Sequence, residues 1–172
     1  GHGRDLDEAW LLENRHTVDI LHLNWPHLLY DAPDLQGRLA LCADLIGHLS
    51  LARSLGYKIV WTVHNLYPHD GTYFHLDRLA RLAITSLATT LIVHCRRARC
   101  LVREHFHPDH GVFVIPHGHF IAAYPNTLSC SQARQRLGIP PDSFVYLFFG
   151  NLRPYKGVEH LLSAFCRLQG QH

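Results

Sequence analysis

Short apolar runs alternate with longer amphipathic segments between residues 17 and 116. The runs TVDILHLNWP (17–26), YKIVWTV (57–63), TTLIVH (89–94) and GVFVIP (111–116) are continuous rather than alternating, which is typical of parallel strands covered by helices on both faces. Between them, apolar residues recur at helical spacing over 35–55, 73–87 and 96–106. This β-α-β alternation predicts an α/β fold with a doubly wound, Rossmann-like parallel sheet.

The sequence also predicts a helix before the first strand and the end of the first long helix. Leu6, Trp10 and Leu11 have helical spacing and predict a short helix within the first fifteen residues. The helix over 35–55 is expected to stop at Gly56, because glycine readily adopts the left-handed conformation that ends helices.

A change of composition divides the chain. Residues 116–125, PHGHFIAAYP, are rich in Pro, Gly and His and predict a linker. After it we expect a helix over 131–137, a turn at GIPPDS, a strand at FVYLFFG (144–150) and a helix from Gly157. We therefore predict most of a first Rossmann-like domain over 1–125, with its linker from about 116, and the first β-α unit of an incomplete second domain over 126–172.

Composition excludes some classes of protein. The chain has 16 Lys plus Arg against 14 Asp plus Glu, so it lacks the basic excess of a nucleic-acid binder, and we predict no nucleic-acid partner. Its five cysteines form no C-x-x-C, which indicates reduced thiols and a cytoplasmic location. The longest near-apolar run, residues 82–95, is interrupted by Thr and Ser, so we expect no membrane-spanning segment.

The stretch FFGNLRPYKGVEHLLSAF (148–165) joins the last predicted strand to the last predicted helix through a turn that carries Arg153 and Lys156. Backbone amides and the helix dipole favour an anion at a helix N-terminus. Arginine adds a bidentate fork and lysine a compact charge, which together suit phosphate oxygens. The turn is a candidate phosphate site, and the alternative is two solvated cations on a surface turn.

These residues resemble the start of the C-terminal domain in nucleotide-sugar glycosyltransferases of the GT-B fold, in the large retaining family numbered four. VWTVHNLYPHD (60–70) resembles a loop of that family facing the cleft, and VIPHGHF (114–120) resembles its interdomain crossing. The resemblance implies a catalytic-site contact by His64 and an interdomain cleft at His117 and Gly118. It also implies that the donor diphosphate is bound by four residues of the turn, which are Gly150, Asn151, Arg153 and Lys156.

The implied function is transfer of a sugar from a nucleotide-diphosphate donor to the hydroxyl of a sugar or lipid-linked acceptor, in polysaccharide or glycolipid synthesis. It implies retention of configuration, no cofactor and no obligatory metal. The family's N-terminal Gly-rich loop and its Glu-x7-Glu segment are not found in the sequence. We therefore expect the 172 residues alone to be an inactive fragment, the alternative being a noncatalytic binding or interaction module.

Histidines suggest a metal site as a further hypothesis. His64, His69, Asp70 and His75 share one predicted loop, and His117 is near His119. No helix carries H-x-x-x-H or H-E-x-x-H, so we predict no metal site.

Arginines are concentrated between residues 76 and 106, against Asp77 and Glu104. They are Arg78, Arg81, Arg96, Arg97, Arg99 and Arg103. Such a basic face favours peripheral contact with anionic lipid on the cytoplasmic side of a membrane, and the alternative is ordinary solvated helix faces.

Overall fold

The computed structural model describes residues 6–68 and 72–169. The chain divides into two compact units, Gly1–Gly118 and His119–His172. The division falls inside the predicted linker, residues 116–125. That the units belong to the two domains of a GT-B enzyme stays a prediction.

The first unit is built on a parallel sheet. Its strands are β1 (Ile20–Leu23), β2 (Lys58–Thr62), β3 (Thr90–Val93) and β4 (Val112–Val114), paired in the order β1-β2-β3-β4. Its helices are α1 (Glu8–Asn14), α2 (Leu35–Ser54), α3 (Phe74–Leu87) and α4 (Arg96–Phe106), with a 3₁₀ helix at Pro26–Leu29. The prediction of a Rossmann-like α/β fold with a parallel sheet is confirmed.

The second unit contains α5 (Cys130–Leu137), a 3₁₀ helix at Pro154–Lys156 and α6 (Val158–Gln169). The segment 144–150, predicted as a strand, forms no ladder with another strand in the described part of the chain. A strand is stabilised by its hydrogen-bonded neighbours, and the four strands of the sheet pair only among themselves. Apolar side chains of this segment are therefore exposed, including Leu147 at 82% and Phe149 at 94%.

One face of the sheet forms the core of the first unit. Leu23, Trp61, Leu91 and Val112 stand in register across the four strands, and all are buried in the cluster that the helices complete. Side chains of a strand alternate between faces, so their neighbours point the other way. On that opposite face Phe113 is 57% exposed.

The winding of the strands explains this one-sided burial. Right-handed crossovers between sequentially ordered parallel strands place all the connecting helices on one face. In agreement, α2 packs against α3 and α3 against α4. The described residues therefore cover one face of the sheet and do not supply the second helical layer expected from the sequence.

Helix boundaries follow local chemistry. The Asp34 carboxylate accepts from the amide of Gly37 at 2.7 Å and caps the start of α2. Gly56, with φ 96°, follows the end of α2 as predicted. Ser129 and Gln132 form a reciprocal capping box at α5. No helix within 6–68 or 72–169 combines the length and hydropathy needed to cross a bilayer.

Candidate active site

Polar side chains converge where the four strands end. Asn24 follows β1, His64 follows β2, His94 follows β3 and His117 follows β4. Side chains along a strand alternate between the two faces of the sheet. By this alternation, all four residues belong to the face that the helices leave uncovered. The carboxyl edge of an open parallel sheet is the usual place for a ligand in this architecture.

His64 lies at the centre of these side chains. Its Nε2 is 3.1 Å from Oδ1 of Asn24, and its Nδ1 is 3.3 Å from Nε2 of His94. The Trp25 ring stacks on the imidazole with centroids 4.4 Å apart and planes within 13°. The His94 ring in turn lies next to the His117 ring, with centroids 5.0 Å apart. We name these five residues, Asn24, Trp25, His64, His94 and His117, the strand-end cluster.

The cluster favours a neutral His64. Partial burial lowers the pKa of His64, and the nearby imidazoles of His94, His117 and His22 lower it further. A neutral imidazole retains a lone pair that can accept a proton from a hydroxyl. The site therefore offers base chemistry near neutral pH.

A small cavity lies beside His64. Its volume is about 60 Å³, and its lining includes Trp25, Tyr67 and Arg81. Since one water occupies about 30 Å³ in the liquid, the cavity has room for about two waters or a hydroxyl group. A pocket for a complete small-molecule ligand has roughly 300–1,000 Å³, so this cavity is too small to hold one by itself.

Arg81 lies in the core of the first unit, which corrects its assignment to a basic surface. Its Nη1 donates to the Tyr30 hydroxyl at 2.8 Å, and that hydroxyl donates to Oδ1 of Asp77 at 2.8 Å. The three residues are at most 2% exposed, and burial raises the pKa of the Tyr30 phenol. A buried guanidinium requires such partners, and Tyr30 is supplied by a distant part of the chain.

The other predicted cations lie in the second unit. Arg153 and Lys156 are exposed at the two ends of a short turn that includes Pro154–Lys156, with Lys156 Nζ 5.4 Å above the ring centre of Tyr155. Gly157 adopts φ 64°, which lets the chain turn directly into α6. The predicted order of turn, cations and helix is present.

Some of the amides predicted to hold an anion are already used. The amide of Lys156 donates to the carbonyl of Arg153 at 2.9 Å, and that of Gly157 donates to Pro154 at 3.2 Å. The first hydrogen bonds of α6 are donated by the amides of His160 and Leu161. The amides of Val158 and Glu159 precede these and form the N-terminal end of the helix. The Glu159 carboxylate opposes an anion there, which leaves Arg153 and Lys156 as the main attraction.

Gly150 and Asn151 precede that turn. Gly150 has φ 133°, a conformation that disfavours other residues, and Asn151 is exposed. In the first unit, Gly118 accepts a hydrogen bond from Nδ1 of His117 through its carbonyl at 2.9 Å. Ligand contacts by these residues stay predictions.

The metal hypothesis gains no geometric support. His69 and Asp70 lie outside the described residues, His75 packs edge-on against Phe74, and His119 is exposed. Across residues 6–68 and 72–169, no group of three or more His, Cys, Asp or Glu side chains is arranged to hold a metal ion.

Sequence reasoning found His64 and His117 but missed Asn24, Trp25 and His94. Their signal was present, because each follows the apolar run of a predicted strand, as in ILHLNW and LIVHC. The ends of parallel strands lie side by side, and side chains alternate between faces along each strand. Applying both rules to the predicted strands would have brought these residues together.

An open parallel sheet with connecting helices defines a Rossmann-like α/β unit, with polar side chains converging at its carboxyl edge. No protein-family model matches the chain. The chain is similar to two proteins named GDP-mannose:glycolipid 4-beta-D-mannosyltransferase, one from Xanthomonas campestris pv. campestris and one from a specified strain of that pathovar. Each is 32% identical over 160 residues, which cover 88% of this chain and 38% of the relative. The chain thus spans well under half of their length, and the similarity supports a glycosyltransferase.

Proposed function

We propose that this chain takes part in transferring mannose from GDP-mannose to a hydroxyl of a glycolipid acceptor. The observation that carries the proposal is the similarity over 160 residues to two mannosyltransferases of that specificity. The strand-end cluster supports it, because it provides a neutral imidazole beside a cavity of hydroxyl size at a ligand-binding edge.

The two units supply different parts of the reaction. Breaking the bond between the sugar and the diphosphate leaves negative charge on the departing phosphate. Arg153 and Lys156 offset that charge, with Gly150 and Asn151 allowing close approach of the backbone. His64 contacts the reacting centre, and His117 and Gly118 line the cleft. We propose that no cofactor and no obligatory metal take part.

The name of the relatives also bears on stereochemistry. It specifies a 4-β-D-mannosyl product. GDP-mannose carries its mannose in α linkage, so a β product requires inversion at the anomeric carbon. We therefore favour inversion over the retention implied by the sequence resemblance. The anomeric proton signals of the product distinguish the two outcomes.

Donor binding tests the proposal on the chain itself. Titration calorimetry with GDP-mannose should detect saturable binding, with UDP-glucose as the competing donor. Arg153→Ala and Lys156→Ala should each weaken it by about 10- to 100-fold, since a hydrogen bond to a charged group contributes about 1.5–3 kcal/mol. Arg167→Ala, in the last turn of α6, is the matched control and should have no effect. Absence of saturable binding, or equal losses in all three variants, would refute the assignment.

Turnover needs a second arrangement, because we expect the 172 residues alone to be inactive. The matched 160 residues of the Xanthomonas relative can be replaced by those of this chain and assayed for mannosyl transfer. The chimera should be active, and His64→Ala should abolish transfer without loss of GDP-mannose binding. A chimera that folds and binds GDP-mannose but transfers nothing would instead favour the noncatalytic binding module.

A basic surface on α4 supports the proposal of peripheral membrane contact. Arg96, Arg99 and Arg103 line a shallow groove of about 720 Å³ along β4, next to the exposed Phe113. Each arginine near an anionic surface contributes about 1 kcal/mol. Flotation with anionic liposomes should recover the protein, and the triple Arg→Gln variant should reduce recovery, with Arg15→Gln as control. Equal recovery on neutral liposomes would remove this proposal.

A further inference from the structure

The hydrogen bonds around His94 have a fixed direction. Nδ1 of His94 lies 3.0 Å from the carbonyl oxygen of Ile115, and a carbonyl oxygen only accepts. Nδ1 of His94 therefore carries a hydrogen. In a neutral imidazole the other nitrogen then has a lone pair, so Nε2 of His94 is an acceptor.

The acceptor role of His94 Nε2 fixes the direction of the next hydrogen bond, which joins His94 to His64. Nδ1 of His64 is 3.3 Å from Nε2 of His94, and because Nε2 of His94 accepts, Nδ1 of His64 donates the hydrogen between them. A neutral His64 consequently has no hydrogen on Nε2. The atom of Asn24 that lies 3.1 Å from that Nε2 is Oδ1, which only accepts, so this tautomer requires the Asn24 amide to be turned over with its NH₂ group as the donor.

The opposite direction would require a cationic His94, because both of its nitrogens would then donate. Several basic groups face the cluster. The imidazoles of His22 and His117 act on His64, and the guanidinium of Arg81 lines the adjoining cavity. A neutral His94 satisfies the contacts with Ile115 and His64 without an added charge, so we adopt that direction of hydrogen bonding.

We propose that His94 is a positioning residue that fixes the tautomer of His64 and leaves Nε2 of His64 unprotonated, so that an acceptor hydroxyl that displaces the Asn24 amide can donate to it. This inference rests on the proposed function. In the transfer step, the hydroxyl proton moves to Nε2, and the oxygen electron pair forms the bond to the anomeric carbon. The bond from that carbon to the diphosphate breaks, and its electron pair leaves with the diphosphate oxygen. The Trp25 ring, stacked on His64, holds the imidazole plane during proton transfer.

Nitrogen NMR of the histidine side chains in the 172-residue chain tests the tautomer directly. The unaltered protein should show His64 with a protonated Nδ1 and an unprotonated Nε2, opposite to the preference of the free side chain. His94→Leu removes the acceptor and should return His64 to the ordinary tautomer. His94→Gln places an amide near the former Nε2 and should preserve the native tautomer, while His48→Gln on α2 should change nothing.

Two results would overturn the proposal. One is a native His64 protonated on Nε2, which is decided on the unaltered protein even if a variant fails to fold. The other is a tautomer that His94→Leu leaves unchanged. Since no donor is present in this measurement, its failure leaves the proposed function intact. Loss of GDP-mannose binding would overturn that function without altering the tautomer result.

Discussion

Asp77 and Arg81 lie one turn apart on α3, and the Tyr30 hydroxyl joins them in the core of the first unit. The direct distance between Oδ1 of Asp77 and Nη1 of Arg81 is 3.9 Å, an ion pair without a direct hydrogen bond, and the phenol bridges the two groups. Asp77→Leu would leave the guanidinium buried without its carboxylate. Arg81→Leu would do the reverse, and the double variant would remove both charges.

Expected magnitudes follow from burial. Each single substitution should lower the free energy of unfolding by about 3–5 kcal/mol, because an unpaired buried charge remains. The double variant removes both charges, so the main cost is the unsatisfied Tyr30 hydroxyl, about 1–3 kcal/mol. The double variant should therefore be more stable than either single one, with a coupling energy of at least about 3 kcal/mol. The free energy of unfolding of a domain is about 5–15 kcal/mol in total, so each single substitution would remove a large share of it.

Urea unfolding followed by far-ultraviolet circular dichroism measures the cycle. Arg78→Leu is the matched control, because Arg78 is exposed on the same helix, and it should change stability by less than about 0.5 kcal/mol. Tyr30→Phe is a milder probe and should cost about 1.5–3 kcal/mol through its charge-assisted hydrogen bonds. Additive single losses in the double variant would show that the two charges are independent and would refute this reasoning.

Three further results are expected. Because the folded pKa of His64 is lowered, the unfolded state takes the proton first. Stability should therefore fall as pH drops through about 6.5 toward the lowered value, and urea titrations of His64→Gln should show a smaller fall. Gly157→Ala, at φ 64°, should destabilise α6 by about 1–2 kcal/mol in hydrogen exchange, whereas Gly47→Ala in α2 has free space and should stabilise by about 0.5–1 kcal/mol. Leu91→Ala in the covered face should cost about 2–5 kcal/mol, and Ile92→Ala on the other face under half of that, by thermal unfolding; equal costs would contradict one-sided burial.

Much of the fold could be predicted because its determinants are local. The helix Arg96–Phe106 has the predicted bounds, and α2 ends just before Gly56. Continuous apolar runs located the four strands, although burial in the structure alternates along them because helices cover only one face of the sheet. His64 was predicted from a resemblance in its surrounding loop, and in the structure it lies at the carboxyl edge of the sheet.

What could not be predicted depends on distant partners. Arg81 reads as a surface cation until Tyr30, from a far part of the chain, is placed beside it. The segment 144–150 has the composition of a strand, but composition does not provide a neighbour for its hydrogen bonds. His94 is brought beside His64 only by the register that pairs β3 with β2.

Trp25 lies flat against His64, whereas Trp61 packs within the core of the first unit and Trp10 packs against that core. A protonated imidazole accepts an electron from an excited indole in contact with it, and this quenches the emission. The fluorescence of Trp25 should therefore dim as His64 gains its proton. The fluorescence of Trp25 should thus report the protonation of His64, the candidate base, without a dye or a substrate.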